Sequence, residues 1–147
     1  MPRAAAQKAA PFSVRFSKEV DRFLAQEARR LKRPKGAIVE VYTDEMIRMR
    51  RFPGIAFRGT DWRRRAWVIG TGLDVWEIVR LLEELRSPEK LAAELALHPE
   101  QIRLALAYAA AYPGEIEEMV ARSRRPDDDL ATRYPFVLEP SASRDAK

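Results

Sequence analysis

Ser13 and Arg15 stand two residues apart in a short alternation, Phe12-Ser13-Val14-Arg15-Phe16. Period-two alternation is strand periodicity, so the hydroxyl and the guanidinium share one face while Phe12, Val14 and Phe16 share the other. Both side chains are suited to reading base edges. Arginine donates in a fork to guanine, and serine exchanges hydrogen bonds with several bases. A second group is the basic turn Lys32-Arg33-Pro34-Lys35-Gly36, whose charges suit phosphate. Alone it would read as a solvated loop; its place between two helical patterns raises the phosphate reading. A third group is Trp62-Arg63-Arg64-Arg65. It reads equally as a wing on a DNA backbone and as a solvated loop tip.

Catalytic chemistry finds no comparable set. The chain has one histidine, His98, and no cysteine, so no familiar metal or nucleophile constellation is expected. Asp127, Asp128 and Asp129 are adjacent in one charged stretch, whereas the carboxylates of a magnesium site converge from separate elements. The expectation is a protein that is not an enzyme, with no catalytic residues, metal or cofactor.

The elements around these groups are short. Ser17 is a good helix N-cap, and Val20, Phe23, Leu24, Ala28 and Leu31 follow at helical spacing. After the basic turn, Ile38, Val39, Tyr42, Met46 and Met49 repeat the pattern. One five-residue strand with two helices is too small to close a core. The simplest solution is a second copy, with two strands paired antiparallel and four helices pooled. The paired ribbon hides Phe12, Val14 and Phe16 and presents Ser13 and Arg15 from each chain. Such a ribbon fits the major groove of B-form DNA. The competing reading is an ordinary edge strand of one small domain.

This stretch, FSVRF, then S-x-E-V, then the turn before GAIVE, resembles the ribbon-helix-helix family of bacterial DNA-binding dimers over residues 11–51. The resemblance implies base contacts from Ser13 and Arg15, with Pro11 just before them. It also implies that the amides of Lys35 and Gly36 clamp a phosphate at the start of the second helix, with Lys32 and Arg33 adding charge. Free N–H groups and the helix dipole give that clamp its physical basis. Pro34 stands where a hydroxyl-bearing cap is common; proline is tolerated in a first turn but contributes no side-chain contact.

Further along, Phe52-Pro53-Gly54 is a stop. Residues 55–58 and 66–69 flank a longish loop and predict a β-hairpin. Gly70-Thr71-Gly72 is a turn without the spacing of a phosphate loop. Asp74 caps a helix carrying Val75, Ile78, Val79, Leu82 and Leu85. Ser87-Pro88 and His98-Pro99 open two more helices, with proline at the first helical position. That pair, at 88–112, is a helix-turn-helix pattern whose outward residues, Glu100, Gln101, Arg103 and Leu104, suit packing or a partner better than a major groove. Tyr112-Pro113-Gly114 predicts a stop, with a last helix from Glu115.

Residues 53–121 resemble a bacterial family catalogued as domain of unknown function 433, through PGIAFR, VIGTGLDVWEIV and HPEQIRLALAYAAAYPGEIEEM. Gly72 replaces an arginine found in many members. The resemblance implies a small helical, helix-turn-helix-like fold. It also implies an antitoxin role, with a PIN-like nuclease toxin as partner and an operator for self-regulation.

Charge is uneven along the chain. Residues 1–73 hold 17 Lys and Arg against 7 Asp and Glu, residues 74–121 hold 4 against 10, and the whole chain carries +5. The front half is suited to meet phosphate and the middle to avoid it. The expected organisation is a mainly α chain. Residues 1–10 form a basic arm or a frayed terminus, 11–52 a ribbon-helix-helix DNA-binding domain, 53–121 a hairpin and helical domain, and 122–147 a tail. Tyr134, Phe136 and Leu138 in that tail either fold back or dock on a partner. The expected function is a homodimeric, sequence-specific repressor and antitoxin. The alternative is an architectural protein that coats or bridges double-stranded DNA. No signal or membrane stretch is evident, so a cytoplasmic, nucleoid-associated place is expected.

Overall fold

Ser17 starts the first helix as its side chain requires: its hydroxyl oxygen accepts from the Val20 amide at 3.3 Å. The computed structural model describes residues 9–62 and 64–124. Among them the order is α1 (Lys18–Leu31), α2 (Lys35–Arg51), β1 (Ile55–Arg58), β2 (Arg65–Val68), α3 (Val75–Leu85), α4 (Pro88–Leu95), α5 (Pro99–Ala111) and α6 (Pro113–Arg124). The chain is mainly helical, with one two-stranded antiparallel hairpin among the described residues. It divides into two units, up to residue 47 and from residue 48, and the division falls inside α2.

The first unit is a helical hairpin. Lys32 closes α1 in the left-handed region at φ 52°, and the Arg33 amide reaches back to the Ala28 carbonyl at 3.0 Å. Pro34 caps α2 with its carbonyl, which accepts from Ala37 and Ile38. Side-chain hydrogen bonds join the helices. Lys35 Nζ donates to Asp21 at 2.7 Å, and the Tyr42 hydroxyl donates to Glu27 at 2.6 Å. Among the described residues of this unit, Leu24 and Ile38 are the buried apolar side chains. Residues 9–17 belong to no helix or strand in the single chain. The strand expected at 12–16 is therefore not formed within one chain. The physical reason is that a ladder needs a neighbour to receive its N–H and C=O groups, and the single chain places none beside it.

The second unit buries a continuous core of Ile55, Val68, Val75, Ile78, Leu91, Ile102, Ala105, Tyr108, Ile116 and Val120. The hairpin pairs Ile55 with Val68, Ala56 with Trp67, Phe57 with Ala66 and Arg58 with Arg65. Its second strand begins one residue earlier than expected, at Arg65. Gly54 precedes β1 at φ 102°, which favours glycine, and a Cβ there would stand 2.8 Å from a Leu104 methyl carbon, so the leucine side chain would have to shift. The α3, α4, α5 and α6 helices pack on one another, and α3 and α5 also pack on β2. The helices begin where their caps predict, with Asp74, Ser87 and His98 as N-caps. The last helix starts two residues earlier than expected. Pro113 opens α6 rather than only ending α5, because proline lacks the one N–H that a first helical residue leaves unused.

Arg48, Arg51 and Phe52 belong to the second unit although they lie at the end of the second helix. Arg48 donates to the Tyr108 hydroxyl at 2.9 Å and to Glu115 at 2.5 Å, and sits 4.0 Å from the Tyr112 ring centroid. Phe52 meets Tyr108 edge-on at 5.4 Å. Burial works to lower the Arg48 pKa, but its hydrogen bonds to Glu115 and Tyr108 outweigh that and raise it. No helix among the described residues is long and apolar enough to cross a membrane.

Candidate nucleic-acid interface

The first unit carries both sets of expected contact residues. Ser13 and Arg15 are exposed in the segment that leads into α1, on alternate positions to Phe12, Val14 and Phe16. Those three apolar side chains are also exposed, at 85%, 53% and 42%. Val20 and Phe23 on α1, and Met46 and Ile47 on α2, add to the uncovered apolar surface of this unit.

Lys32, Arg33, Lys35 and Gly36 are gathered by the turn between α1 and α2, and all four are exposed. Lys32 is held there by its left-handed backbone. Pro34 has no hydroxyl with which to cap the first amides of α2, so the N–H groups of Lys35 and Gly36 precede the first helical acceptor pairing. A Cβ at Gly36 would meet nothing within 4 Å, so the approach to these amides is open. Lys35 shares its charge with Asp21 in an exposed pair. Such pairs are worth about 0–1 kcal/mol, so the pair would give little resistance to the ammonium turning to another anion.

The third set fares differently. Arg63 lies outside the described residues, as do the arm residues Arg3 and Lys8, Asp127–Asp129 and the tail's Tyr134, Phe136 and Leu138. Arg64 is half-buried, and Arg65 is a strand residue. The Arg65 Nε donates to Asp74 Oδ2 at 2.8 Å, and the Arg58 Nε donates to Asp74 Oδ1 at 2.6 Å. The Trp76 indole N–H donates to the same carboxylate at 3.2 Å, and the Asp74 amide donates to Glu77 at 2.7 Å. Arg58 also donates to the Gly72 carbonyl at 2.9 Å. Arg65 is thus a closing bolt of the hairpin rather than a loop-tip charge. Asp74 was legible as a cap, but its second role as the shared partner of two facing arginines was not. The register that places Arg58 opposite Arg65 sets that role, and the expected strand at 66–69 leaves Arg65 in the loop.

His98 is a cap: its Nδ1 accepts from the Glu100 amide at 3.2 Å, and its own amide donates to Gln101 at 2.8 Å. No three His, Cys, Asp or Glu side chains among the described residues are grouped so as to hold a metal ion. Comparison of the chain with protein-family models, with curated proteins and with solved structures finds no match.

Proposed function

We propose that the chain is a homodimeric, sequence-specific DNA-binding protein: a repressor that also serves as the antitoxin of a toxin–antitoxin pair. One observation carries this reading. Phe12, Val14 and Phe16 are uncovered on alternate positions, with Ser13 and Arg15 between them. Pairing this segment antiparallel with a second copy supplies the missing ladder and buries six apolar side chains. Full burial contributes about 1.5–3 kcal/mol per side chain, against about 4–15 kcal/mol for association. The ribbon alone sits at the edge of sufficiency, and Val20, Phe23, Met46 and Ile47 supply the remainder. The ribbon then enters a major groove with two serines and two arginines, and the turns at Lys32–Gly36 of both copies hold flanking phosphates. The acidic stretch 74–121 is left for a protein partner, a PIN-like nuclease in this reading.

The test is a footprint with a salt titration, wild type beside Arg15→Ala. Loss of the guanidinium is expected to cost about 1–3 kcal/mol and to relax sequence preference at its base. An unchanged footprint removes the ribbon from the mechanism. Binding that bulk DNA competes away completely selects the architectural alternative. Co-purification with the product of an adjacent gene tests the antitoxin role.

A further inference from the structure

Lys18, Arg22, Gln26 and Arg29 recur along α1 every fourth or third residue, and all are exposed. At about 100° per residue they fall within about 80° of arc and span about 16 Å of the helix axis. They lie on the side away from the buried Leu24. The carboxylates of this helix do not balance them. Asp21 accepts from Lys35 at 2.7 Å, and Glu27 accepts from Arg30 at 2.7 Å and from the Tyr42 hydroxyl at 2.6 Å. Glu19 stands only at the margin of the face. Among the described residues Lys18, Arg22 and Arg29 pair with no carboxylate, and the Arg29 Nε donates to the Ala25 carbonyl of its own helix.

Surface cations of the second unit behave differently. Arg80 pairs with Glu84 at 3.6 Å, Arg122 with Glu118 at 2.7 Å, Arg124 with Glu83 at 2.5 Å, and Arg103 with Glu100. A helix face that meets only water is commonly laced with such opposite-sign pairs. Lys18 also occupies the first helical position, where the helix dipole disfavours a cation. Three cations on one face without counter-ions are complementary to a line of phosphates. At its carboxy-terminal end the face runs into the turn at Lys32–Gly36, the phosphate clamp of the proposed function.

We infer, on the DNA-binding reading above, that this face of α1 lies along the phosphates of duplex DNA and adds affinity without reading sequence. The Lys18 ammonium and the Arg22 and Arg29 guanidinium groups donate to phosphate oxygens and displace condensed counterions, and the Gln26 amide adds a neutral donor. The face escapes a count of charges along the chain, because its members are interleaved with acids that point elsewhere.

The test titrates the full chain onto duplex DNA over a salt series, with Lys18→Gln, Arg22→Gln and Arg29→Gln combined. Glutamine has a helix propensity close to that of lysine and arginine, so α1 is kept. The logarithmic salt slope is expected to fall by about 0.9 for each lost cation, about 2.7 per copy, on the footprinted site and on random duplex alike. Arg22→Gln alone is expected to lower it by about 0.9 per copy. Arg22→Lys with Arg29→Lys keeps the charge and should keep the wild-type slope. Arg103→Gln, Arg122→Gln and Arg124→Gln together remove the same charge from the second unit and should leave the slope unchanged. An unchanged slope in the α1 variants overturns the proposal, as does an equal fall in the second-unit variant, which would make the effect one of net charge. Wild-type protein without salt-dependent binding overturns the DNA-binding reading and this surface together, whereas steep wild-type binding with an unaltered α1 variant overturns this surface alone.

Discussion

Replacing Asp74 by asparagine tests the most heavily loaded side chain in the second unit. Asp74 is 3% exposed and its carboxylate accepts from Arg58, Arg65 and Trp76. Asparagine keeps the shape and one acceptor oxygen, but turns an NH2 group toward one of the two guanidinium groups. It also removes the charge that lets Arg58 and Arg65 stand opposite each other across the hairpin. Breaking a buried pair from one side costs about 3–5 kcal/mol, because a charge is left without its partner. Both arginines are partly exposed, so water recovers part of that cost, and about 2–3 kcal/mol is the expected loss. Urea unfolding followed by tryptophan fluorescence reads the change, because Trp67 and Trp76 flank the site. Adding Arg65→Gln to Asp74→Asn should cost less than the sum of the two single changes, since the second substitution removes the charge that the first left unpaired. A loss below about 1 kcal/mol, or strict additivity, refutes the assignment of Asp74 as the shared counter-ion.

Lys32→Gly should stabilise the helical hairpin by about 0.5–1 kcal/mol, because glycine occupies the left-handed region without a Cβ penalty. The same change should reduce the logarithmic salt slope of DNA binding by about 0.9 per copy. Gly36→Ala fits open space inside the first turn of a helix and should raise thermal stability by about 0.5–1 kcal/mol; destabilisation would show that this turn does not hold helical geometry. Burial holds the Tyr108 phenol above its ordinary pKa, although the hydrogen bond from Arg48 pulls the other way. Unfolded tyrosine ionises near pH 10, so the stability due to Tyr108 is intact below that and is lost as pH rises through its higher folded value. Absorbance should show a tyrosine step at high pH that Tyr108→Phe abolishes.

Helix starts were legible because capping is local chemistry. Ser17, Asp74, Ser87-Pro88 and His98-Pro99 each begin a helix where the side chain meets the first amides. The hairpin was legible to within one residue, because apolar runs flank its loop. Pro113 misled because a proline that cannot continue one helix can begin the next. The segment at 12–16 has strand periodicity but no ladder in one chain, since periodicity encodes which face is buried and not who pairs. Of the contact residues, Lys32, Arg33, Lys35 and Gly36 could be placed together because they are sequential. Arg48 and Arg65 entered the basic count of the front half, yet each is bound to a carboxylate. For Arg48 that carboxylate, Glu115, lies 67 residues away, and a separation of that size leaves no mark in local composition.

The helix that crosses from one unit into the other governs where the molecule can be divided. A cut between Phe52 and Pro53, where the sequence punctuates, would strip Arg48, Arg51 and Phe52 from the rings of Tyr108 and Tyr112 and leave Glu115 without its counter-ion. A protease would find no slack tether there: the Phe52 amide is bound to Arg48 and the Phe52 carbonyl receives Ile55. Fragments meant to behave as separate folding bodies therefore have to leave residues 48–52 with the carboxy-terminal piece.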